Sequence, residues 1–86
     1  MSAEPRLITS IKEQGGKVEL VEEFAGADGL IYAVYAVIDG RGRAKILVLK
    51  NTPNGFTKKA MQVLPADVEK LVEALRAAKG KLREMI

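Results

Sequence analysis

Leu30 to Ile38 is an almost continuous apolar run rich in β-branched and aromatic side chains, and Asp39-Gly40-Arg41-Gly42 closes it. No stretch of the chain approaches the roughly 20 apolar residues that a membrane helix needs, so the run reads as a central β-strand. The two glycines behind it make positive φ available for a tight turn, and Ala44 to Leu49 resumes strand character at once. A hairpin is therefore expected, and the remaining elements must arrange themselves around it.

Lys17 to Phe24 alternates, with Val18, Leu20 and Phe24 on one side and Glu19, Val21 and Glu23 on the other, as a half-buried strand requires. Gly26 to Gly29 is a loop. After Lys50, the segment Asn51 to Gly55 contains two asparagines, a proline and a glycine, so the chain turns before a fourth strand over Phe56 to Leu64. Pro65 suits the start of a helix, with Asp67 and Glu69 near its positive end and Val68, Leu71, Val72 and Leu75 at helical spacing. Near the N-terminus, Pro5, the one-sided Leu7, Ile8 and Ile11, and the exit at Gly15-Gly16 describe a short helix. A strand from Leu7 to Lys12 turning at the same glycines fits the pattern as well. The expected architecture is α+β: a four-stranded antiparallel curved sheet, a C-terminal amphipathic helix and a short N-terminal helix, in one domain over residues 1–86.

Composition narrows the chemistry. The chain has no cysteine and no histidine, which removes disulfides, thiolate metal sites and the commonest general base. Ser2 and Ser10 have no histidine to activate them, and Glu19, Glu22 and Glu23 read as a solvated strand face. Gly40-Arg41-Gly42 lacks the further glycine and the following helix of a dinucleotide fingerprint. The expectation is a non-enzymatic protein with no metal, no cofactor and no small-molecule substrate. No signal-like run follows Met1, so a cytoplasmic location without membrane association is expected. Two asparagines and two glutamines beside 14 Lys/Arg and 11 Asp/Glu point to a thermophilic source.

The net charge of +3 conceals a segregation along the chain. From Glu13 to Asp39 there are six acids, and Lys17 is the only base. From Gly40 to Ala66 there is no acid, while Arg41, Arg43, Lys45, Lys50, Lys58 and Lys59 are all positive. Such a concentration of one sign attracts polyanions. Arg43, Lys45 and Lys58 fall on alternating strand positions, so several bases are expected to share a face. The aromatic residues are Phe24, Tyr32, Tyr35 and Phe56; Phe56 lies nearest the basic hairpin, and Tyr32 and Tyr35, an odd number of residues apart, take opposite faces. Aromatic faces support unstacked bases in single-strand binders. The rival account is that the bases solubilise the surface or pair with the acidic strand, leaving a protein-interaction or assembly module.

IYAVYAVIDGRGRAKILVLK at Ile31 to Lys50, NGF at Asn54 to Phe56, and QVLPADVEKLVEALRAA from Gln62 resemble PUR-type repeats over more than half the chain. By size, composition and element order the chain is also similar to crenarchaeal ThermoDBP-related single-strand binders. The resemblance implies the four-strand-plus-helix plan that PUR domains share with Whirly proteins, and binding of single-stranded DNA or RNA by paired units. It places Arg41 and Arg43 in a turn, Lys45 and Lys50 in the strand behind it, and Lys58 and Lys59 in a basic strand. With a single repeat present, the second unit must come from another copy. The apolar series continuing past Gly80 as Leu82, Met85 and Ile86 likewise suggests a homo-oligomer, a dimer or tetramer, unless Gly80 ends the helix and leaves a frayed tail.

Overall fold

The computed structural model describes residues 6–52, 55–56 and 63–86. In chain order the elements are helix α1 (Arg6–Glu13), strands β1 (Lys17–Ala25), β2 (Ile31–Ile38), β3 (Ala44–Thr52) and β4 (Gly55–Phe56), a 3-10 turn (Pro65–Asp67) and helix α2 (Val68–Met85). The strands form one antiparallel sheet in the order β1-β2-β3-β4. Three strands are of full length. The expected strand over 56–64 is described only as the pair Gly55–Phe56 against Asn51 and Thr52; residues 57–62 lie outside the described residues, and Val63 and Leu64 are not in a strand. Among the described residues no helix is long and apolar enough to cross a membrane.

The N-terminal segment is a helix, and its ending shows why. Gly15 takes φ +87°, its N–H donates to Lys12 O at 3.1 Å, and the Gly16 N–H donates to Ile11 O at 2.9 Å. This pair of bonds is the Schellman closure, which consumes carbonyls that the last turn would otherwise leave open. Gly16 serves a second purpose, since a Cβ there would lie 2.6 Å from Ile11 Cγ2 and 2.9 Å from the Ile38 carbonyl oxygen. Only a glycine lets α1 turn this tightly against the end of β2.

Paired residues share a face of the sheet. On the inner face Tyr32, Val34 and Ala36 stand beside Lys50, Val48 and Ile46, and α2 packs there through Ala74 and Ala78, with Leu71 and Leu75 alongside. The covering stripe is therefore Leu71, Ala74, Leu75 and Ala78, while Val68 and Val72 of the expected stripe are 44 % and 39 % exposed. Small side chains decide this rotation, because alanine allows a helix axis to approach a sheet more closely than valine does.

The alternation expected for β1 is interrupted. Its register against β2 shifts between Leu20 and Glu22, which leaves Val21 as the extra residue of a β-bulge. Before the bulge, Val18 and Leu20 pair with Val37 and Tyr35 on the outer face. Beyond it, Phe24 pairs with Tyr32 on the inner face, and Val21 packs against the core. Leu20 is consequently half exposed, at 50 %.

Helix α2 runs through Gly80 to Met85, so the glycine does not end it. Leu82 and Met85 are half-buried within the chain, and Ile86 is exposed. Lys81 reaches Glu19 of β1 at 3.0 Å and Glu84 at 3.2 Å, tying the C-terminal end of the helix to the sheet edge. Among the described residues, nothing beyond the helix's own backbone lies within 4 Å of a Cβ placed on Gly80. Gly80→Ala is therefore expected to raise stability by about 0.5–1 kcal/mol, the backbone-entropy difference between the two residues in a helix. A thermal melt checks this, and a lowered Tm would contradict an unobstructed position.

Candidate nucleic-acid interface

The β2–β3 turn is organised by Asp39. Its N–H donates to Arg43 O at 2.9 Å, and its carbonyl accepts from Gly42 N at 2.9 Å, with Gly42 at φ +83°. Its carboxylate oxygen Oδ1 accepts the backbone N–H groups of both Arg41 and Arg43 at 2.9 Å. Oδ2 meets Lys45 Nζ at 3.2 Å. These bonds, the Arg43 amide foremost, hold the Asp39 carboxyl below its ordinary pKa. The turn is thus locked from inside by one side chain, and the arginine side chains are left to project outward.

Arg41, Arg43 and Lys45 are exposed, and among the described residues neither arginine has a carboxylate partner. Lys45 lies on the outer face, level with Val37, and is followed on that face by Leu47 and Leu49, which flank Tyr35 and Ala33. Helix α1 lies over one end of this face. Leu7, Ser10, Ile11 and Gln14 from the helix, Asp39 to Arg41 and Arg43 from the turn, and Lys45 and Leu47 from β3 line a groove of about 600 Å³. The Gly40 backbone is pressed against the Gln14 carbonyl, where a Cβ would overlap the oxygen. Helix and hairpin therefore interlock at the two glycines, Gly16 and Gly40.

Two residues expected at the interface are inside the protein instead. Tyr32 is fully buried on the inner face, stacked on Phe24 with ring centroids 4.9 Å apart and planes at 20°. Its hydroxyl donates to Asp67 Oδ2 at 3.1 Å and accepts the Leu64 N–H at 3.4 Å. Lys50 is also buried; its Nζ sits 4.7 Å from the centre of the Tyr32 ring and 2.7 Å from Asp28 Oδ2. The hydrogen bond between them raises the Lys50 pKa and lowers that of Asp28. Alternation is the cause: Lys50 stands five positions after Lys45, an odd interval that puts it on the opposite face.

Tyr35 lies half-buried on the outer face, opposite to Tyr32 as its odd spacing requires. Phe56 is placed in β4 by its backbone pairing with Asn51. Lys58 and Lys59 lie outside the described residues. Of the nine expected residues the structure brings Arg41, Arg43 and Lys45 together on one exposed rim, with Tyr35 on the same side of the sheet. Sequence reasoning did not anticipate Asp39 as the organiser, although an aspartate opening a glycine-rich turn is a known signal for side-chain-to-backbone bonding. It also did not anticipate the wall that α1 supplies, for which no local signal exists. Among the described residues no cluster of acidic side chains could hold a metal ion. No family model matches the chain, and no curated protein or solved structure matches it.

Proposed function

We propose that this chain binds single-stranded DNA or RNA without catalysis and with little sequence preference, along the rim formed by Arg41, Arg43 and Lys45 and the adjoining outer face. The observation that carries this is the pair of exposed guanidinium groups without carboxylate partners among the described residues, at the end of a sheet face that continues through Leu47, opposite Tyr35, to Leu49. Guanidinium groups neutralise phosphates and release counterions, and an apolar sheet face with an aromatic residue accommodates unstacked bases. The resemblance to PUR-type repeats supports the same reading. Lys58 and Lys59 are its further candidate contacts. Assembly as a homo-oligomer belongs to it, since Leu20, Val72 and Ile86 leave apolar surface open.

A gel shift and a fluorescence titration with mixed-sequence oligonucleotides test the proposal. Single strands are expected to bind more tightly than duplex, and affinity should fall steeply with salt. Arg43→Gln is expected to weaken binding several-fold without loss of fold, whereas Lys70→Gln, on the exposed surface of α2, should have little effect. Sedimentation equilibrium on the same samples should give more than the mass of one chain. Tighter binding to duplex, or affinity indifferent to salt, would remove the proposal. The exposed apolar residues favour a second reading, a protein-interaction module whose bases only solubilise it, and binding to no oligonucleotide would select that one.

A further inference from the structure

Resting on the single-strand reading, we propose that the groove between α1 and the β2–β3 turn receives a strand end, namely a terminal nucleotide carrying a phosphomonoester. At about 600 Å³ the groove falls in the range of small-ligand sites, about 300–1,000 Å³, and suits one nucleotide rather than a run of them. Its walls divide by chemistry. Leu7, Ile11 and Leu47 offer apolar surface for a base, and Ser10 and Gln14 add hydrogen-bonding groups beside it. The opposite wall is the basic turn.

The charge count singles out an end over an internal position. Asp39 offsets Lys45 at 3.2 Å, and its second oxygen is occupied by two backbone amides. Among the described residues that leaves Arg41 and Arg43 as two positive charges without a carboxylate partner at the groove. A terminal phosphomonoester carries about −1.5 to −2 at pH 7, against −1 for an internal diester. Guanidinium groups also match phosphate oxygens in a bidentate geometry that a terminal group, with three free oxygens, satisfies best. The backbone of the site is braced before anything binds, because the turn is fastened by Asp39 and α1 is seated on Gly40, so the ordering left to binding is that of the arginine side chains.

The test compares one short oligothymidylate with a 5′-phosphate, a 3′-phosphate or hydroxyls at both ends, by fluorescence anisotropy, with thymidine monophosphate and inorganic phosphate as competitors. A phosphorylated end is expected to bind about tenfold more tightly than a hydroxyl end. The two phosphorylated arms identify which end enters, and the monophosphate should compete better than inorganic phosphate. In the Arg41→Gln/Arg43→Gln variant the preference should fall to about one, while the backbone amides that hold Asp39 remain. The preference should also fade as pH drops from about 7.5 to 5, because the ligand's second proton returns near pH 6. The protein has no histidine, and among the described residues the charged groups lining the groove are Asp39, Arg41, Arg43 and Lys45, with none from α1. Equal affinity for all three ends with single-strand binding intact would overturn the inference alone. A preference that survives the double substitution, or inorganic phosphate competing as well as the monophosphate, would overturn it too, and failure of every strand to bind would remove both proposals.

Discussion

Asp67→Ala is expected to lower stability by about 2–4 kcal/mol. Asp67 opens α2, yet its carboxylate makes no hydrogen bond to the helix's own first turn. It turns inward instead, 3 % exposed, and accepts the Ala27 N–H with both oxygens at 3.1 and 3.2 Å and the Tyr32 hydroxyl at 3.1 Å. One side chain thereby joins the β1–β2 loop, the middle of the sheet and the start of α2. Removing it takes the Asp67 oxygen from the fully buried tyrosine hydroxyl and the carboxylate from the Ala27 amide. For a domain of this size the expected fall in Tm is on the order of 10–20 °C. Tyr32→Phe should cost less, about 1 kcal/mol, because Asp67 keeps the Ala27 amide. The double variant should cost less than the sum of the two, since the residues share one bond. Additive losses in thermal or urea unfolding would show that the bond contributes nothing.

Gly40→Ala is expected to separate α1 from the hairpin. Gly40 does not have a positive φ, so backbone conformation is not the constraint; the constraint is the Gln14 carbonyl, whose oxygen occupies the position a Cβ would take and whose carbon would lie 3.3 Å away. Both obstacles are backbone atoms, and neither can swing aside as a flexible side chain would. Overpacking of this kind typically costs about 1–3 kcal/mol. The functional effect should be larger than the stability loss suggests, because the same displacement opens the groove between Gln14 and Arg41. Phosphorylated and hydroxyl strand ends should then bind alike, although Arg41, Arg43 and Lys45 are unchanged. Amide resonances of Ser10, Gln14 and Arg41 should shift together. If the melt and those resonances match wild type, α1 is not seated on the turn in solution.

Much of the architecture was legible from the residues alone. The apolar run from Leu30 to Ile38 specified a central strand, Asp39 to Gly42 specified the turn, and Gly15-Gly16 marked where the first element ends, though not whether it is a helix or a strand, because these are local effects of side-chain shape and backbone freedom. The opposition of Tyr32 and Tyr35 followed from the two-residue period of a strand and is present.

Where local rules met competing partners, only the tertiary structure decided. Val21 reads as an outward residue by alternation, but the bulge turns it to the core and leaves Leu20 half exposed, since pairing with β2 overrides the period of an isolated strand. Val68 and Val72 read as core by helical spacing, but Ala74 and Ala78 take the close contact because the helix approaches as near as its smallest side chains allow. Lys50 belongs to the basic interval by sequence, but the pairing of β2 with β3 sets it over Tyr32, and the β1–β2 loop brings Asp28 to it across 22 residues. Asp67 finds Tyr32 and Ala27 at separations of 35 and 40 residues. The sequence therefore determined the three long strands, the turn between β2 and β3 and the C-terminal helix, because each depends on neighbours a few residues apart. Which bases stay exposed, and the wall that α1 raises beside them, depend on contacts between distant segments, which exist only once the chain has folded.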